Sequence, residues 1–225
     1  MRPLALDLSA APPATVLALG AHCDDIEIGC GGTLLRLREA NPAVEIRCVI
    51  FCSDAQRGAE TRACIARLLG PATAERMRLL PHRDGYLPHA GPALKDAFEA
   101  LKQDPAPELI FTHWGRDLHQ DHRVVSELTW NTFRDHLILE YEIPKYDGDL
   151  GAPNAFVALS DDDLKRKVDA LLEAYASQRG KRWFDADPFR ALARLRGVEC
   201  QQRWAEAFYS RKLLLAPRAS GSIAR

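Results

Sequence analysis

Residues 16–33 read VLALGAHCDDIEIGCGGT. The four apolar residues Val16 to Leu19 form the kernel of a short buried strand, and His22, Asp24 and Asp25 follow just beyond its end. The cluster Gly29, Gly31, Gly32 marks the expected start of a helix running from Gly32 to about Ala40. A strand that ends in a polar loop and returns as a helix is the building unit of an α/β fold, and open α/β sheets bind ligands beyond the carboxyl ends of their strands. Imidazole beside two carboxylates in that place suits zinc, with one acid for the metal and the other for proton transfer.

A second loop of the same kind follows about a hundred residues later, in LIFTHWGRDLHQDHRVV (109–125). Leu109 to Thr112 reads as a strand, and a polar loop then leads through His119-Gln120-Asp121-His122 into a helical pattern over 122–135. A parallel sheet brings both strand ends to one edge. The His-Asp pair of the first loop plus a histidine of the second then makes a three-ligand site with its fourth position open, the arrangement of catalytic zinc.

The rest of the chain is compatible with that reading. Its 225 residues are 47% hydrophobic and carry 30 Lys and Arg against 31 Asp and Glu, for a formal net charge of −1. This is an ordinary composition for a chain that buries a full core, and the near balance supplies no global field for nucleic acid or an anionic membrane. No apolar run approaches the roughly 20 residues of a membrane span, and residues 1–15 lack the charged start and apolar core of a signal peptide, so the cytoplasm is the expected compartment. The six cysteines, at 23, 30, 48, 52, 64 and 200, form no disulfide framework. Cys48 and Cys52 lie in an apparent strand, where four residues span about 13 Å and cannot close on one ion.

Strands and helices alternate. Asn41-Pro42 breaks the chain after the first helix, Val44 to Cys52 forms a second strand, and Thr61 to Leu69 a helix closed by Gly70-Pro71. Arg78 to Leu80 reads as a third strand, Ala93 to Lys102 as a helix, and Leu109 to Thr112 as the strand feeding the second loop. The expected fold is therefore a Rossmann-like α/β domain over residues 1–215, with a mostly parallel sheet, helices on both faces and a flexible tail over 216–225. From about Leu137 the pattern loosens into a long loop, IPKYDGDLGAPN, a capped amphipathic helix over Asp161 to Arg179, and a partly helical return over Ala191 to Ala207. The glycines arrive only after the acidic loop, which argues against a dinucleotide fingerprint. His82, His89, His113 and His136 lie outside both motifs and read as surface or core residues, with His113, at a strand end, the one within reach of a ligand.

AHCDDIEIGCGGT followed by HQDH resembles the PIG-L, or LmbE-like, family of zinc-dependent deacetylases, which remove an N-acyl group from amino sugars; YEIPKYDGDLG, SQ and RLRGVE add to the likeness. The resemblance implies zinc, or another divalent metal, held by His22, Asp25 and His122, with Asp24 as general base. It implies His119 as the group that stabilises the oxyanion or protonates the leaving amine, held charged by Asp121. It also points to Arg57, read as lying in the loop after the second strand, as a substrate ligand; Arg116 in the second loop and Tyr146 with Asp147 in IPKYDGDLG are further candidates. The implied partner is a small N-acetyl amino sugar, and similar enzymes often form homo-oligomers. Cys23 departs from the proline usual between the histidine and the aspartates, and is expected to pack away from the metal because successive side chains leaving a strand point to opposite sides. The motifs define a reaction and not the group on the amine, so a zinc hydrolase of a non-sugar amide, or a non-catalytic sugar-binding protein, stands as the alternative.

Overall fold

Successive residues of the first strand, β1 (Thr15–His22), enter different cores: Val16 and Ala18 belong to one apolar cluster, Leu17 and Leu19 to another. A strand covered on both faces reads as a continuous apolar run, which is why VLAL carries no polar alternation. The structure, a computed structural model, describes residues 2–6, 8 and 13–215; the tail expected over 216–225 lies outside the described residues. The other strands are β2 (Glu45–Cys52), β3 (Arg78–Leu79), β4 (Leu109–His113), β5 (Leu137–Tyr141), β6 (Ala155–Leu159) and β7 (Trp204–Tyr209). They form one sheet in the order β3-β2-β1-β4-β5-β7-β6. The first five run parallel, and β7 pairs antiparallel with both β5 and β6.

Helices cover both faces. On one lie α1 (Asp25–Ala40), α2 (Ala55–Leu69), α6 (Asp161–Ala174) and α7 (Ala186–Glu199), which add Ile26, Leu34, Ile65, Val168 and Phe189 to the larger cluster. On the other, α4 (Gly91–Leu101) and α5 (Gln120–Thr132) add Leu94, Phe98 and Val125 to the smaller one. A five-residue helix, α3 (Pro71–Glu75), follows α2. The chain winds outward from β1 through β2 to β3, then crosses back to β4 on the other side of β1. That reversal leaves a crevice between the carboxyl ends of β1 and β4, which is where such sheets hold ligands.

Several expectations need correction. Helix α1 starts at Asp25, not at Gly32, because Asp24 takes a positive φ of 116° and turns the chain into the helix in one residue. The glycines serve packing instead: a Cβ at Gly29 would overlap the Tyr141 ring, and one at Gly32 would come within 2.8 Å of Leu159. Helix α2 starts at Ala55, where the Asp54 side chain accepts the Arg57 amide at 2.7 Å, so Arg57 stands in a first helical turn and not in a loop. Beyond Leu137 the chain adds three strands, and the partly helical return expected over 191–207 consists of α7 as far as Glu199 followed by β7. The expected helix over 161–179 ends at Ala174; its capping box, Ser160 with Asp163, is present, and a short turn over Ala176–Gln178 follows.

Candidate active site

His22 closes β1 and His122 lies in the first turn of α5, and the register of β1 against β4 sets the two segments side by side. Nδ1 of His22 lies 3.2 Å from Nε2 of His122 and 3.4 Å from Oδ2 of Asp25, while Oδ1 of Asp25 lies 3.5 Å from Nε2 of His122. Two ligands each about 2.0–2.1 Å from one tetrahedral ion lie about 3.3 Å apart, so these three groups have the mutual spacing of zinc donors. The His22 amide also donates to Asp25 Oδ2 at 2.6 Å, which fixes that carboxylate at the strand end.

Other donor sets overlap this one. Potential ligand atoms of His22, His119 and His122, of Asp25, His113 and His122, and of His22, Cys52 and Asp121 lie within 4.8 Å of one another. In each, a member is otherwise engaged. Nδ1 of His119 faces the Asp121 amide at 3.3 Å, Nε2 of His113 takes the Ala21 amide at 2.9 Å, and burial pushes the Cys52 thiol up to about 12. His113, with no exposure, lies behind the site: its ring stacks on His122 at 3.9 Å and it does not line the cavity.

The outer partners differ from those expected. Asp121 does not face the His119 ring. Its carboxylate lies 3.1 Å from His22 Nε2 and accepts the amides of Gly85 and Leu87 at 2.7 and 3.1 Å, because the first turn of α5 points it back toward β1. It therefore orients a candidate metal ligand through the ring nitrogen that faces away from the metal position. Asp84 Oδ1, on the loop after β3, lies at the same 3.1 Å from that nitrogen. The matching partner of His122 is Asp117, missed in the sequence, whose Oδ2 lies 3.0 Å from His122 Nδ1, off the line of a well-aligned N–H bond. Its signal was available: an acid two residues ahead of His119, within loop reach of the same histidine pair.

Burial opposes a charge on His22, but Asp121, Asp25 and Asp84 outweigh it and raise its pKa. His122 moves down to about 4 through burial and the charge of His113, over the opposition of Asp25 and Asp117. Asp24 is 4% exposed, and burial with the charge of Asp25 lifts it to about 7 against the pull of Arg57. Asp25 goes the other way, held low by His122 and His113 despite its burial. His119 is lowered by burial and then by His22.

Arg57 reaches inward. It donates to the Cys23 carbonyl, to Asp24 Oδ2 at 2.8 Å and to Ser177 Oγ at 3.2 Å, with its guanidinium 5.1 Å from the Tyr175 ring centre. A cavity of about 220 Å3 opens over these groups, lined by His22, Asp24, Asp25, Arg57, Asp84, His119 and His122 on its floor and by Lys145, Tyr146, Asp147, Gln178, Lys181 and Trp183 among its wall residues. Arg116 is exposed and is not among the lining residues: its neighbour Asp117 takes the buried place in that turn. Tyr146 stands at the mouth, 71% exposed. Cys23 is buried with its thiol toward the Cys52 carbonyl and Ser53 Oγ, at 3.7 and 3.5 Å, and burial raises it to about 11.

Solved structures share this fold. The conserved protein TT1542 from Thermus thermophilus is 21% identical, with 91% of this chain and 99% of that one covered at a TM-score of 0.69. The N,N'-diacetylchitobiose deacetylase from Pyrococcus horikoshii is 21% identical, with 91% and 86% covered at 0.68. GalB, the 4-carboxy-2-hydroxymuconate hydratase from Pseudomonas putida KT2440, is 15% identical, with 92% and 99% covered at 0.67. Residues 17–133, which span both loops and more than half of the chain, match the model of the PIG-L family, described as GlcNAc-PI de-N-acetylase, and the chain belongs to that family.

Proposed function

We propose that this protein is a zinc-dependent N-deacetylase acting on an amino-sugar substrate. The observation that carries the proposal is the convergence of His22, Asp25 and His122, whose ring nitrogens lie 3.2 Å apart and face the two carboxylate oxygens of Asp25 at 3.4 and 3.5 Å, beside a second buried acid, Asp24. The outer carboxylates Asp121 and Asp117 support the same reading, since metal-bound histidines present their other nitrogen to such groups. His22, Asp25 and His122 would hold the zinc, which would supply a Lewis acid for an amide carbonyl and lower the pKa of water.

The chain's own groups divide the remaining work. Asp24 is held by Arg57 through Oδ2, which leaves Oδ1 to take the proton of the attacking water. Arg57 thus serves as an anchor of the base, with its position on the cavity floor also open to substrate. His119 accepts the Asp121 amide at Nδ1, so its proton sits on Nε2. In that tautomer the ring acts on the oxyanion as a neutral hydrogen-bond donor and keeps its proton, while the proton that Asp24 takes from the water passes on to the leaving amine.

The cavity of about 220 Å3 lies just below the roughly 300–1,000 Å3 range of small-molecule pockets, the scale of one small ligand. Tyr146 and Trp183 on the wall offer apolar faces and Gln178 and Asp147 polar groups, a mixture suited to a sugar ring. The fold alone does not choose the reaction, as the hydratase with the same architecture makes plain. Acetate release from N-acetylated sugars, nucleotide sugars and small non-sugar amides tests the proposal. Release from the sugars is expected to require zinc and to vanish in His122→Ala. Release from the non-sugar amides alone would overturn the substrate class, and no release from any would overturn the reaction.

A further inference from the structure

We infer that Lys145 is a positioning residue that ties the loop at the cavity mouth to the metal ligand His122, so that metal loading and the ordering of that loop are one event. The inference rests on the metal assignment proposed above. Lys145 Nζ lies 2.9 Å from Asp117 Oδ2, the same oxygen that stands 3.0 Å from His122 Nδ1. It also donates to Asp149 Oδ2 at 2.5 Å, and that oxygen takes the Leu118 amide at 2.7 Å. The other oxygen of Asp117 accepts the His119 amide at 2.7 Å. One ammonium therefore joins residues 145 and 149 of the mouth loop to residues 117–119 of the loop that enters α5.

The latch is buried, with side chains of Lys145, Asp117 and Asp149 only 10%, 2% and 7% exposed. In such surroundings, taking away one partner leaves carboxylates without compensation, so the three groups hold or fail together. Between the latch residues the loop carries Tyr146 and Asp147, which line the cavity, and Gly148 at a φ of +62°. Both side chains are exposed, so the wall they form takes its position from the latch beneath it. A metal that fixes His122 then fixes Asp117, Lys145 and this wall in turn, and the coupling is reciprocal: what the metal adds to the loop, the loop adds to metal affinity.

Zinc affinity, measured by chelator competition on the full chain, Lys145→Met, Asp117→Asn and the double variant, tests this together with hydrogen exchange over 143–151 with and without zinc. Lys145→Met is expected to weaken zinc roughly tenfold, the lower edge of what carboxylate partners of metal-bound histidines contribute. The double variant should bind no more weakly than Asp117→Asn alone, because the lysine acts through that carboxylate. Zinc should slow exchange over 143–151 in the parent chain and not in Lys145→Met. Asp149→Asn, which removes one carboxylate charge of the same latch, should lose the protection and weaken zinc in step with it. Parental affinity in Lys145→Met, or losses that add in the double variant, would overturn the inference. If Lys145→Met does not fold, the parent chain decides, and a loop whose exchange ignores zinc sinks the idea. Zinc that survives His122→Ala would overturn the metal assignment itself, and this inference with it.

Discussion

Asp24 and Asp25 are adjacent in the chain and face opposite ways because the backbone turns between them. A φ of 116° at Asp24 sends its carboxylate to Arg57, while Asp25 begins α1 and points to the histidines. Such a backbone costs of order 1–3 kcal/mol and persists only where its surroundings hold it, here the Arg57 bonds to the Cys23 carbonyl and to Asp24. Asp24→Asn is expected to keep its zinc and slow turnover by roughly 10²- to 10⁴-fold, the usual worth of a placed general base. Asp121→Asn should do the reverse, weakening zinc by roughly 10- to 100-fold through its loss of hold on His22. Metal analysis alongside steady-state kinetics separates the two. Zinc loss in Asp24→Asn would mean that the two aspartates have been assigned the wrong way round.

Helix α1 shapes the site because it passes unusually close to the sheet. Gly29 lies against the Tyr141 ring, and the Tyr141 hydroxyl donates to the Leu19 carbonyl of β1 at 2.6 Å, three residues before His22. One helical turn on, Glu206 of β7 accepts the amides of Gly32 and Thr33 at 2.9 and 2.6 Å, and Lys167 of α6 donates to the Ile28 carbonyl and to Glu206, both at 2.6 Å. The helix is thus clamped to β7 and α6 by charge and to β5 by close approach. Gly29→Ala gains about 1 kcal/mol of helix propensity, but overpacking a buried ring costs about 1–3 kcal/mol, and an overlap with the body of the ring belongs at the upper end. A net loss of about 2 kcal/mol is expected in urea unfolding. Unchanged stability would mean that the Tyr141 ring moves aside without cost.

At the scale of the whole molecule the proposed metal position lies on the seam where the winding reverses. His22 and Asp25 belong to the half wound from β1 toward β3, and His122 to the half wound from β4 toward β5. A metal held by both halves stabilises only the folded chain, by about 2.7 kcal/mol at a hundredfold excess over its dissociation constant. For a chain of this size that corresponds to a rise in Tm of roughly 5–10 °C. Calorimetry with and without zinc is expected to register this in the parent chain and nothing in His122→Ala. A similar rise in that variant would place the stabilising metal elsewhere. Among the described residues no helix is long and apolar enough to cross a membrane.

Sequence alone determined the sheet's parallel core and the residues that meet at its edge. Apolar strands ending in His22-Cys23-Asp24-Asp25 and in the HQDH loop can only converge when parallel pairing aligns their carboxyl ends, so linear order carried the information. Strands β5 and β7 were hidden because each carries a buried acid that interrupts the apolar pattern. Glu140 answers the Gly115 amide and Trp130, and Glu206 answers α1 and Lys167, partners remote in sequence. The same limit governed the site's outer partners. That Asp121 serves His22 and not His119, that Asp117 stands behind His122, that Arg57 anchors Asp24 while Arg116 stays exposed, and that His113 lies sealed behind the site all depend on the direction in which a side chain leaves a turn. Residue spacing says which segments come together; only packed backbones decide which atom of each residue faces which neighbour, because a rotation of one turn redirects a carboxylate without changing a letter of the sequence.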